Sequence, residues 1–132
     1  MAADESYPED LRYHAEHDWA RIEGEEASFG ITWYAQEALG EVVFFEPPEI
    51  GTTVSRDEAY AEVESVKAVS DVIAPLSGEV IAVNDDAGEN PEVINNDPYG
   101  DGWMVRVRLT DTAEVDSLLD VEAYRRLLAD ES

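Results

Sequence analysis

The chain has 132 residues, 44% of them apolar, with three tryptophans, six tyrosines and no cysteine. That length and bulk suit a single globular domain over residues 1–132 and argue against disorder, while the lack of cysteine excludes disulfides, thiol nucleophiles and cysteine-bound zinc. Thirty-two acidic against eight basic residues leave a formal net charge of -24, which repels nucleic acid and anionic lipid, and no segment reaches membrane-spanning length, so neither nucleic acid nor membrane is an expected partner.

Residues 1–10 are polar and acidic and are expected to be flexible. They carry neither a basic n-region nor an apolar h-region, so the default location is the cytoplasm. So high a charge destabilises through self-repulsion that salt screens, and a halophilic origin is one reading of it. From Asp18 to Glu23 apolar and polar residues alternate, Gly24-Glu25 supplies a turn, and Ala27 to Ile31 returns, which reads as a β-hairpin. Thr32 can cap a short helix near 33–39, and Gly40 follows where a left-handed residue is wanted. Val42 to Phe45 reads as a buried strand stopped by Pro47-Pro48, which cannot donate to a sheet ladder.

Ala59–Glu64 and Val69–Ala74 are both strand-like and flank Ser65-Val66-Lys67-Ala68, so Lys67 is expected at a hairpin tip. Pro75 and Gly78 lead into the alternating Glu79–Val83, and Asn84 to Pro98 is turn-rich. Trp103 to Leu109 alternates again, with its arginines toward water. Residues 120–129 read as a C-terminal helix, with Asp120 as N-cap and Val121, Tyr124, Leu127 and Leu128 as an apolar stripe. A faint echo between Gly51-x-x-Val54 and Gly78-Glu79-Val80 hints at two similar halves meeting at the lysine hairpin. The whole is expected to be mainly β, a sandwich or barrel with helical additions.

Catalytic constellations are poorly supplied. The only histidines are His14 and His17, too few donors for a metal site, and they read as surface or packing residues. There is no Gly-x-Ser-x-Gly elbow, phosphate loop, His-Glu-x-x-His or twelve-residue calcium loop, so no catalytic or metal residue is assigned. The anomaly lies among the basic residues: seven are arginine, and Lys67 is the only lysine. With eight basic residues such a split needs no purpose by itself.

Its context supplies one. Glu62-Val63-Glu64-Ser65-Val66-Lys67-Ala68-Val69-Ser70-Asp71 closely resembles the lipoyl-attachment motif of glycine cleavage H proteins. The resemblance runs in order through roughly residues 11 to 129. It includes His17-Asp18-Trp19, Gly30-Ile31-Thr32, Tyr34 to Gly40, Val42-Val43-Phe44, Ala74 to Val80, Asn95 to Trp103 and Asp120 to Tyr124, far more than one short motif.

The resemblance implies a barrel-sandwich hybrid of the lipoyl-domain type, with lipoate joined covalently to Lys67 and Glu64, Ser65, Val66, Ala68 and Asp71 completing the lipoylation motif. An arm of that length reaches on the order of 14 Å from the Cα. It also implies a shuttle and not an enzyme. Glycine decarboxylase (P protein) passes an aminomethyl group to the arm, an aminomethyltransferase (T protein) takes it on to tetrahydrofolate, dihydrolipoamide dehydrogenase (L protein) reoxidises the dithiol, and a lipoate-attaching enzyme installs the arm. The family parks its loaded arm in a surface cleft that limits water, for which Asp18 and Tyr34 are the candidates by position; a strand-edge carboxylate and a helix aromatic in ordinary packing are the alternative.

The sequence departs from the family's usual pattern at three places. Trp33 stands where Asp is common, Asp18 where Glu is usual, and Pro47 where an apolar residue ends the strand. A biotin carrier, by contrast, places its lysine between methionines, and here the neighbours are Val66 and Ala68. An H-like lipoyl protein acting in lipoyl relay or sulfur metabolism would use the same lysine, and a purely structural domain would leave it unmodified.

Overall fold

Alternating apolar and polar residues set most of the chain into short antiparallel strands, which the computed structural model describes over residues 7–131. In chain order these are β1 (Arg12–His14), β2 (Asp18–Glu23), β3 (Glu26–Ile31), α1 (Trp33–Leu39), β4 (Val42–Phe45), β5 (Thr53–Val54), β6 (Ala59–Ser65), β7 (Val69–Ile73) and β8 (Gly78–Val83). There follow α2 (Asp85–Glu89), α3 (Glu92–Asn96), β9 (Val105–Leu109), a 3-10 turn (Thr112–Ser117) and α4 (Val121–Glu131). A six-stranded sheet in the order β1-β2-β3-β9-β8-β5 and a three-stranded sheet in the order β4-β6-β7 enclose the core, the barrel-sandwich architecture that the resemblance implies.

Three apolar clusters fill it. Ala20, Phe29, Val80, Val105 and Val107 are buried on the six-stranded sheet, with Leu76 from the β7–β8 connection packed among them. Phe45, Val63 and Val72 come from the small sheet to meet Ile31, Leu39, Ile94 and Met104. The C-terminal helix α4 closes one end, with Tyr124 and Val121 packed on Leu11, Tyr13 and Trp19. Each such side chain contributes roughly 1.5–3 kcal/mol relative to exposure. Trp19 lies opposite Gly30 in the β2–β3 register, and a Cβ at Gly30 would stand 2.6 Å from the indole ring, so only glycine leaves room for it.

Local chemistry ends the helices as the sequence predicts. Thr32 Oγ1 accepts the Ala35 N–H at 3.3 Å at the start of α1, and Asp120 Oδ1 accepts that of Ala123 at 2.9 Å before α4. Elsewhere packing overrides pattern. Asp18, Trp19 and Ala20 are all buried in succession because both faces of β2 are covered at that end. In β4 only Val42 and Phe45 are buried, since a register shift between Val42 and Phe44 turns Val43 and Phe44 outward. The stretch read as turns between Asn84 and Pro98 folds into two one-turn helices, the first capped by Asn84 Oδ1. Arg106 is part-buried, its guanidinium held by Glu23 and Glu26 at 2.8 Å each. The two echoing segments meet directly, Val54 pairing with Gly78 in the β5–β8 ladder. Of the expected flexible stretch, residues 1–6 lie outside the described residues, while Tyr7 is buried edge-on against the Tyr124 ring.

One side chain fixes the loop between α1 and β4. Asn95 donates to Gln36 Oε1 (3.0 Å) and to the Gly40 carbonyl (2.9 Å), and accepts the Val42 N–H (2.8 Å). Asn95→Ala strands that N–H and two acceptors. The expected cost is about 2 kcal/mol, a fall of roughly 6–10 °C in Tm, read from thermal melts; an unchanged Tm would contradict the assignment.

Candidate functional site

The β6–β7 turn is organised by its own residues. The Ser65 N–H donates to the Ala68 carbonyl at 2.8 Å, and Ser65 Oγ accepts the N–H groups of Lys67 (3.2 Å) and Ala68 (3.0 Å). The tip is tied to the residue before β4 in the same small sheet, where the Val66 N–H donates to the Glu41 carbonyl at 3.0 Å. Lys67 is exposed at this tip. Its hydrocarbon stem lies against Gly40, whose φ of +82° is left-handed and where an added Cβ would come within 3.3 Å of Lys67 Cε. Glycine there serves twice, ending α1 and leaving space for the lysine stem.

Beside the turn a cleft of about 510 Å³ opens between the free edge of β7 and the β2–α1 corner. Ile31, Leu39, Val63 and Ile73 give it apolar walls, Tyr34 and Ala35 line it from α1, and Ala68, Ser70 and Asp71 form the side nearest Lys67. Asp18 closes it from β2. Its carboxyl is 2% exposed, receives a hydrogen bond from the Ile73 N–H, and has an oxygen, Oδ2, with no partner. Burial pushes this carboxyl well above the usual carboxylate range, and the nearby Glu16 charge adds to the rise. An apolar trough with a desolvated, half-satisfied carboxyl in it fits a flexible hydrocarbon chain that ends in a hydrogen-bond donor.

The corner that presents Asp18 and Tyr34 is braced from behind. His17 holds a left-handed φ of +75°, which a non-glycine residue adopts at a cost of order 1 kcal/mol. Its ring packs on Tyr34 (centroids 4.5 Å apart), and its Nδ1 lies 2.8 Å from the Tyr124 hydroxyl. That hydroxyl is also 2.8 Å from Thr32 Oγ1, the α1 cap, and the Tyr124 ring stacks on Tyr13. Helix α4 therefore reaches the cleft through one phenol, which burial keeps un-ionised far above neutral pH. Tyr124→Phe keeps the stack and removes both hydrogen bonds, so Tm is expected to fall by roughly 4–8 °C; no change would mean the hydroxyl does not brace the corner. His14 lies outside this brace: its Nε2 is 2.6 Å from Asp57 Oδ1 at the β5–β6 turn.

Of the residues singled out by sequence, Asp18, Tyr34, Ala68 and Asp71 meet in the cleft, Ser65 shapes the turn, and Lys67 stands at the rim. Glu64 and Val66 do not line it. Glu64 sits between Phe44 and Val69 on the outer face of the small sheet, and Val66 is exposed at the tip. Sequence reading missed Gly40, Glu41, His17 and Asn95 as supports of the site. The Gly40 helix stop was legible, but its contact with a lysine 27 positions away was not.

Comparison with known proteins gives concordant results. The family model described as "Glycine cleavage H-protein" matches residues 11–131. The chain is 56% identical over 125 residues to the glycine cleavage system H protein of Halorhodospira halophila, covering 94% of this chain and 96% of that one. It is 47% identical over 122 residues to that of Brevibacillus brevis, covering 92% and 97%. Among solved structures, the glycine cleavage system H protein from Mycobacterium marinum superposes with a TM-score of 0.85 at 43% identity, covering 92% of this chain and 98% of that chain.

Proposed function

The chain belongs to the glycine cleavage H-protein family, and from that premise we propose that it is a lipoyl carrier, with Lys67 as the attachment residue, and not a catalyst. One observation carries the reading: the only lysine of the chain projects from the tip of a braced hairpin, at the mouth of a cleft whose wall holds an unsatisfied buried carboxyl. When bound as an amide, lipoate supplies a disulfide at the end of a long arm, able to take up a one-carbon amine while being reduced.

The chain's own residues do the rest. The Ser65-centred turn keeps the Lys67 amine accessible to a lipoate-attaching enzyme and, once modified, to the glycine decarboxylase, aminomethyltransferase and dihydrolipoamide dehydrogenase components. Ile31, Leu39 and Val63 offer the stem of the arm an apolar bed that excludes water. The Asp18 carboxyl passes its proton to the cargo amine and then, as a carboxylate, accepts the hydrogen bond of the resulting ammonium at Oδ2; the Tyr34 ring covers the bed from α1. The two carboxylates Glu16 and Asp71 at the cleft keep its field negative, which favours a cationic cargo. The reading is tested by reconstitution: after lipoylation the protein, mixed with glycine decarboxylase, supports exchange of the glycine carboxyl with bicarbonate, and the unlipoylated protein does not. Equal exchange with both forms would overturn it.

A further inference from the structure

The two non-glycine residues with a left-handed backbone among the described ones, His17 (φ +75°) and Asp57 (φ +74°), both bond to His14. The first closes the β1–β2 turn, where its N–H donates to the His14 carbonyl at 2.9 Å. The second stands in the turn before β6, which the Glu58 N–H closes on the Ser55 carbonyl at 3.0 Å, and places its Oδ1 2.6 Å from His14 Nε2. The other ring nitrogen, His14 Nδ1, accepts the Glu16 N–H at 3.0 Å. A backbone N–H can only donate, so Nδ1 carries no proton, and the ring proton sits on Nε2 and donates to Asp57. That bond holds the Asp57 carboxyl below the usual carboxylate range.

Resting on the carrier reading, we propose that His14 is a positioning residue for the cleft: its neutral imidazole, anchored by Asp57, fixes the Glu16 backbone and so keeps the Glu16 carboxylate at the rim, where it holds a cationic cargo. Glu16 lines the cleft but is exposed, so no apolar packing orients it, and the imidazole restrains it through the main chain. A proton on Nδ1 turns that acceptor into a donor facing another N–H. The Glu16 bond is then lost while the pair with Asp57 strengthens, so the ring stays on the β5–β6 turn and lets Glu16 go. The charged groups around the ring are Asp57 and, from the same turn, Arg56, whose Nε is 3.7 Å from Asp57 Oδ2 and whose Nη1 donates to the Ser117 hydroxyl. On its own hairpin they are Glu16 and Asp18, the latter its cross-strand partner. Tyr13, Ala15 and Ser117 to Leu119 line the rest of the hollow and carry no charge. Acid pH therefore loosens the rim and speeds loss of cargo.

The test measures ammonia release from loaded, lipoylated protein at about pH 8 and about pH 5.5, across the interval in which imidazoles change charge, with each rate divided by that of His14→Asn at the same pH. Asparagine accepts the same N–H two residues on through its side-chain oxygen and does not ionise, and the ratio cancels the pH dependence of hydrolysis and of Asp18. The parent is expected to match His14→Asn within about twofold at the higher pH and to release ammonia about three- to tenfold faster at the lower, whereas His14→Ala is faster by that factor at both. If the imidazole acts through the Glu16 carboxylate, adding His14→Ala to Glu16→Gln changes release less than about twofold. A parent ratio that is the same at both pH values, or a full His14→Ala effect in the Glu16→Gln background, would overturn the proposal. Lipoylated parent that supports no exchange of the glycine carboxyl would instead overturn the carrier reading, and the positioning proposal with it.

Discussion

Lys67→Arg is expected to fold like the parent, with Tm within about 1–2 °C, and to have no carrier activity at all. The side chain is exposed, its backbone N–H is held by Ser65 Oγ whatever the side chain is, and its stem merely lies along Gly40. Arginine keeps the charge and most of the stem, so the turn has no reason to rearrange. A guanidinium, however, cannot form the lipoyl amide, and the chain contains no second lysine to take its place. Exchange activity of the purified variant after treatment with a lipoate-attaching enzyme decides the matter. Anything above background would show that the arm is not carried at Lys67.

Asp18→Asn is expected to have two effects of opposite sign. In the folded chain the Asp18 carboxyl is buried with one oxygen unpartnered, which raises its pKa above the unfolded value. For such a group the folded state binds the proton more tightly, so its contribution to stability is complete below about pH 4 and drains away as pH rises toward the folded value. Asparagine has nearly the same shape, can still accept the Ile73 N–H, and never ionises. The variant is therefore expected to match the parent near pH 4 and to be more stable above the folded pKa, by about 1–2 kcal/mol or roughly 3–8 °C in Tm. Function moves the other way: loss of a charge-assisted hydrogen bond worth about 1.5–3 kcal/mol speeds release of ammonia from the loaded protein by about ten- to a hundredfold. Melting curves between pH 4 and 8, with ammonia release measured on the same samples, test both. A lower Tm at pH 8, or unchanged release, would mean that Asp18 is a packing residue and not a cargo ligand.

That opposition explains why the cleft was only partly legible in the sequence. The Lys67 turn could be read locally, because Ser65, Val66, Lys67 and Ala68 are contiguous and bounded by two β-prone runs. Thr32, Gly40 and Asp120 end their helices through bonds within a few residues, and they too were readable. Asp18 looked like one polar position in an alternating strand, and only the closure of β7 over it makes it buried. The same holds for Phe44: Val42 to Phe45 is uniformly apolar, and nothing local reveals that a register shift turns its middle outward. His17 and Asn95 act across 107 and 53 to 59 positions, through Tyr124 and through Gln36, Gly40 and Val42. Such supports come into being only when the two sheets and α4 assemble.

The carrier role stands or falls on the covalent state of one residue. Intact mass of the protein purified from its native source, with peptide mapping across Ser65 to Asp71, addresses it directly. The account predicts a lipoyl group on Lys67 in at least part of the population and nowhere else in the chain. A uniformly unmodified mass that persists after incubation with a lipoate-attaching enzyme and lipoate would contradict it.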